Sequence, residues 1–122
     1  MSRTWLRLLF AVVVVLAGCS QQPSAPSDPT AAAGQMLIAQ KGCGACHTVP
    51  GVAGANGVIG PSLAGVASRT SLAGGAVPNT SPDDLKRWVL NPPAVKPGTS
   101  MPNLGLSDDE ATKIVAYLET LH

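Results

Sequence analysis

Apolar positions cluster in four stretches of the chain, and their spacing predicts different structures. Leu8 to Ala17 is an unbroken block of ten apolar residues, preceded by Arg3 and Arg7 and followed by Gly18-Cys19. A membrane-spanning helix needs about 20 such residues, whereas this stretch reaches roughly 15 even from Trp5 to Cys19, so it reads as a secretory signal. The next stretch begins at Asp28-Pro29, an N-cap followed by proline at the first helical position, and predicts a helix to about Lys41 that stops at Gly42. Its inward side is Ala33, Leu37 and Ile38. Gly34, one turn before Ile38, leaves room for another backbone to approach.

Ser81-Pro82-Asp83-Asp84 opens a second helix by the same logic, with Leu85, Trp88 and Val89 on one face and an end at Asn91-Pro92-Pro93. Ser107-Asp108-Asp109-Glu110 is a capping box ahead of Ala111, Ile114, Val115, Leu118 and Leu121, the clearest amphipathic helix in the chain. That face needs a partner, and the first helix with its small Ala33 and Gly34 suits it. Between helices, Gly51 to Gly60 and Lys96 to Asn103 are too rich in glycine and proline for regular structure. No segment reads convincingly as a strand. The pattern divides the chain into a signal peptide over 1–18, a Pro- and Ser-rich tether over 19–28 and one all-α domain over 29–122.

Composition sharpens this picture. The sequence has 122 residues, 45% hydrophobic but only 3% aromatic. Removal of the signal takes Trp5 and Phe10, leaving Trp88 and Tyr117 as the aromatics of a domain of about 95 residues. A core this small is marginal without a metal, disulfide or cofactor. Loss of Arg3 and Arg7 leaves six Lys and Arg against seven Asp and Glu, a net charge of −1, so no basic face for nucleic acid is expected.

Three cysteines carry the chemistry. Leu16-Ala17-Gly18-Cys19 resembles the lipobox of bacterial lipoproteins, which implies lipidation of Cys19 and cleavage before it; otherwise Cys19 is a stray thiol behind an ordinary signal. Extended at about 3.1 Å per residue, the tether would hold the domain roughly 25 to 30 Å from the lipid. Cys43-Gly44-Ala45-Cys46-His47 is a C-x-x-C-H run, the attachment signature of a c-type haem. Two thiols at this spacing can each add to a porphyrin vinyl group while the adjacent imidazole binds iron. A zinc site would need further ligands, and the other histidine is the terminal His122. A thioredoxin-like pair would need a βαβ context, and a simple disulfide remains open.

On a haem protein, Pro61 offers a carbonyl to the second ring nitrogen of His47. Met101 is either a gap-filler or, held by its Pro- and Gly-rich loop, the sixth iron ligand; Met36, on the helix entering the attachment site, is poorly placed for that role.

Residues 29 to 121 resemble a class I cytochrome c, through Cys43-Gly44-Ala45-Cys46-His47, Gly60-Pro61-Ser62-Leu63-Ala64-Gly65, Asn91-Pro92 and Pro97-Gly98-Thr99-Ser100-Met101-Pro102 in the family's order. Val77 to Trp88 with Lys96 to Pro102 is similar to the cytochrome domain fused to subunit II of some haem-copper oxidases, here without a copper-binding domain. The resemblance implies three main helices and loops around one covalent haem c, with thioethers at Cys43 and Cys46, axial ligands His47 and Met101, and the Pro61 carbonyl on His47. It implies Arg69 on a propionate, with Asn79 and Trp88 as further candidates, and Thr99 steadying the Met101 loop. Ile38 stands where many members carry an aromatic; Tyr117 fits.

The implied function is single-electron transfer from an upstream reductase or dehydrogenase to a terminal oxidase. It would take place outside a bacterial cytoplasmic membrane, through a haem edge bordered by the Gly51 to Gly60 and Met101 loops. The rival readings are a haem peroxidase or gas binder with a labile sixth ligand, and a fixed relay subunit of a larger complex.

Overall fold

The computed structural model describes residues 24–122. The predicted signal peptide, Cys19 and the tether as far as residue 23 lie outside the described residues, and 24–28 run without regular structure into the first helix. Helix α1 spans Pro29–Gln40, and Asp28 accepts from the Thr30 N–H at 2.7 Å as its cap. Lys41 closes the helix and Gly42 leaves it at φ 77°, a left-handed conformation that favours glycine.

A hairpin follows further along: β1 (Ser71–Leu72) pairs antiparallel with β2 (Val77–Pro78), with Leu72 opposite Val77. Helix α2 is Pro82–Leu90, capped by Ser81, which accepts from the Asp84 N–H. Short α3 (Pro92–Val95) follows at once, capped by Asn91. Helix α4 is Asp108–Leu118, opened by the predicted reciprocal Ser107–Glu110 box.

Helices α1 and α4 form the principal packing of the molecule, with α2 against α4. Ile38, Ala111, Ile114, Val115, Tyr117 and Leu118 are buried across these helices, and Leu85, Trp88 and Val89 add the predicted face of α2. Ile38 is 1% exposed, so the aliphatic substitute for an aromatic still fills its place.

The inward side of α1 differs from expectation. Ala31, Gly34 and Ile38 are buried, while Ala33 and Leu37 are half-buried. Spacings of three and four residues put Ala31, Gly34 and Ile38 on one stripe, and the close approach of α4 at Gly34 selects it.

One further expectation is corrected. The hairpin was not expected, because two residues per strand carry no readable alternation; Leu72 and Val77 nonetheless bury their side chains as a pair. Helix α2 does end at Asn91-Pro92-Pro93 as expected, and the short α3 restarts at once because Asn91 caps and Pro92 suits a first helical position.

Candidate haem site

Gly42 delivers the chain into a single 3-10 turn, Cys43–Ala45, and the Cys46 and His47 amides both donate to the Cys43 carbonyl, at 3.2 and 3.0 Å. This turn carries both thiols and the imidazole toward one cavity of about 300 Å³. Behind it the glycine-rich loop folds tightly. Gly57 N–H donates to the Gly44 carbonyl at 3.0 Å, and a Cβ on Gly44 would lie 2.6 Å from the Ala55 Cα. The loop is thus a backing for the Cys43–His47 turn. Of its residues only Ile59 and Gly60 line the cavity, which corrects the expectation that Gly51 to Gly60 as a whole would border it.

His47 Nδ1 lies 2.7 Å from the Pro61 carbonyl oxygen. A carbonyl can only accept, so Nδ1 is the donor here, and in the neutral ring the lone pair is on Nε2. A Cβ on Gly60 would lie 2.7 Å from Nδ1, so only glycine at this position lets the chain pass the ring.

Met101, half-buried, lines the same cavity from the loop after α3. Thr99 lines it too, and its hydroxyl accepts from the Met101 N–H at 3.3 Å. Trp88, 8% exposed, forms part of the apolar wall.

Arg69 lines the cavity, with Nη2 donating to the Ser62 and Ala64 carbonyls at 2.6 and 2.8 Å. Asn79 does not reach the lining. Its amide donates to the Val66 and Arg69 carbonyls at 3.1 and 2.8 Å, which fixes the backbone that bears Arg69. Sequence reasoning passed over Lys96, which also lines the cavity and donates from Nζ to the Ala73 carbonyl at 2.9 Å. Nothing local distinguishes it from any solvated loop lysine.

Cys43 and Cys46 are separate thiols. Burial pushes the Cys43 thiol above its ordinary value, and Cys46 adds to the rise against a backbone hydrogen bond. A redox dithiol needs the opposite shift. No group of three or more His, Cys, Asp or Glu could hold a metal among the described residues, so a zinc reading lacks its further ligands.

The donor set suits a haem: two thiols at C-x-x-C-H spacing, an imidazole with its tautomer fixed, a thioether, an apolar wall and two cations on one cavity. The family comparison agrees. A profile described as cytochrome c matches residues 31–122, and the chain belongs to this family of electron-transfer proteins with covalently bound haem c.

Among its relatives, a cytochrome c homolog of Bradyrhizobium diazoefficiens is 32% identical over 117 residues, covering 86% of this chain and 62% of that protein. A cytochrome c-type cyt cy of Rhodobacter capsulatus is 34% identical over 92 residues, covering 66% of this chain and 44% of that protein. The chain therefore spans less than two thirds of the length of either relative.

Proposed function

We propose that the protein is a membrane-tethered, mono-haem carrier of single electrons in a respiratory chain, passing them from a reductase or dehydrogenase to a terminal oxidase. The observation that carries the electron-transfer reading is that His47 and Met101 line one cavity together with Cys43 and Cys46. When bound, haem c supplies a one-electron ferrous–ferric couple. Cys43 and Cys46 would hold it through thioethers, and His47 Nε2 and the Met101 sulfur would bind its iron. Pro61 accepts from His47 Nδ1, which leaves Nε2 as the ring atom to bind and means the ring cannot turn without breaking a hydrogen bond.

Ligation by both side chains would leave no iron position open to a substrate, which is what favours a carrier over a peroxidase or gas binder. Thioether ligation favours the ferrous state. The apolar wall that includes Trp88 excludes water from the site, and Arg69 offers charge to a propionate.

The tether rests on the Leu16 to Cys19 lipobox, and the oxidase on the similarity of Val77 to Trp88 and Lys96 to Pro102 to an oxidase-fused domain. No helix among the described residues is long and apolar enough to cross a membrane, and the anchor proposed is lipid on Cys19.

Absorption spectra of the holo protein test the site. A sulfur-to-iron charge-transfer band in the ferric form and slow carbon monoxide binding to the ferrous form are expected; rapid binding at neutral pH would sink the carrier reading. Haem staining of membranes from cells making wild type and Cys19→Ala tests the tether, which fails if the variant stays membrane-bound.

A further inference from the structure

We infer that Lys96 is a second propionate-binding cation, acting with Arg69. The inference rests on the haem reading above. Among the described residues, Lys41, Lys86, Arg87 and Lys113 each reach a carboxylate: Glu110, Asp108, Asp84 and Asp109 respectively. Arg69 and Lys96 reach none, and both line the cavity, whose lining includes no Asp or Glu. The pairing of charges over the rest of the domain thus leaves two positive charges on a largely apolar wall.

Charges partly withdrawn from water on an apolar wall gain from an opposite charge or further hydrogen bonds. Neither cation has a full set of hydrogen bonds. Lys96, half-buried, gives one of its three ammonium donors to the Ala73 carbonyl; Arg69 makes both of its protein hydrogen bonds through Nη2, leaving Nη1 and Nε. A ligand with an apolar body and two carboxylates supplies what this wall lacks, and haem is such a ligand.

The placement of Lys96 is built. The carbonyl that receives Nζ belongs to Ala73, a non-glycine residue held at φ 53° in the turn between β1 and β2. Left-handed backbone is disfavoured for alanine, so tertiary contacts must hold the turn there, and the Lys96 bond is one of them. Lys96 therefore joins the hairpin turn to the loop that carries Met101 and brings its charge to the cavity between them.

The test compares holo wild type with Lys96→Met, which keeps length and removes charge, and Lys96→Arg, which restores charge. Lys113→Met is the control, since Lys113 pairs with Asp109 on α4 outside the cavity lining. Each protein is titrated spectroelectrochemically, and its sulfur-to-iron band recorded. Loss of a positive charge beside the haem disfavours the ferrous state. Lys96→Met is expected to lower the ferrous-to-ferric ratio at fixed potential by about tenfold, about 59 mV for one electron. The charge-transfer band should persist, Lys96→Arg should recover most of the shift, and Lys113→Met should match wild type.

An unchanged potential in Lys96→Met overturns the inference. So does a shift that appears only with loss of the band, because Lys96 would then act on the Met101 loop alone. A wild type with no covalent haem would overturn the haem reading itself and Lys96 with it, whereas a normal wild-type spectrum with an unmoved variant removes Lys96 alone.

Discussion

Gly34 on α1 lies directly against the Lys113 backbone on α4: a Cβ at Gly34 would collide with the Lys113 carbonyl, 2.6 Å from its carbon and 3.1 Å from the Ile114 nitrogen. Side chains can rotate away from a new methyl group, but a helix backbone cannot without moving the whole helix. In an unconstrained helix, glycine to alanine stabilises by about 1 kcal/mol. Here the sign should reverse. Gly34→Ala is expected to destabilise the holo protein by about 1 to 3 kcal/mol through overpacking, measured by denaturant titration. A stabilised variant would mean that α1 and α4 are further apart.

That contact was legible in the sequence because it depends on one residue type at one place in a helical pattern. The helix starts at Asp28, Ser81 and Ser107 were legible for a similar reason, as caps act within one turn. The chemistry of Cys43 to His47 was legible because covalent attachment fixes both residue types and spacing. Features that depend on distant partners were not. Lys96 is singled out only by the absence of a carboxylate beside it and by a carbonyl 23 residues away. The Gly51 to Gly60 loop has the composition of a cavity border, and only the Gly57 to Gly44 hydrogen bond shows that much of it packs behind the attachment turn.

Removal of the cofactor should leave little that folds. Without its occupant the largely apolar wall of this cavity faces water, and a domain this small has little stability to lose. Cys43→Ser with Cys46→Ser, which cannot attach haem covalently, is expected to lose the cooperative thermal transition in far-ultraviolet circular dichroism. A sharp transition at the wild-type temperature would show that the helices suffice alone.

Acid sensitivity should come in part from Glu110. Its carboxyl is held below the usual range, first by the Lys41 ammonium at 2.7 Å and then by the Ser107 N–H at 2.9 Å. A depressed carboxyl contributes stability that is fully present above its unfolded value, and loses it as pH falls through the lower folded value. Glu110→Gln should therefore be less stable than wild type at neutral pH, with the gap narrowing below the ordinary glutamate range. Denaturant midpoints across that range measure it, and parallel curves would refute the assignment.

Thr99 should steady Met101, the proposed iron ligand. Its hydroxyl accepts from the Met101 N–H, and Thr99→Val removes that acceptor while keeping shape. Global stability should change by about 1 kcal/mol. Carbon monoxide binding to the ferrous protein should quicken by up to about fivefold, the factor that 1 kcal/mol gives, because loop opening precedes it. Equal rates in wild type and variant would show that the loop is held elsewhere.

Asn79 offers a contrast with the two cavity cations. The resemblance to class I cytochromes places it near a propionate, whereas its amide donates to the Val66 and Arg69 carbonyls. Asn79→Ala would remove two neutral hydrogen bonds at about 1 kcal/mol each. At roughly 4 to 8 °C per kcal/mol for a domain of this size, the melting temperature should fall by roughly 10 °C. The reduction potential should move little, since no charge is lost and Arg69 still has its own bonds to Ser62 and Ala64. Arg69→Met, by contrast, should lower the potential in the same direction as loss of Lys96. If Asn79→Ala instead leaves the melting temperature unchanged and shifts the potential as far as Arg69→Met does, the Asn79 amide acts on the propionate directly and its carbonyl bonds carry little weight.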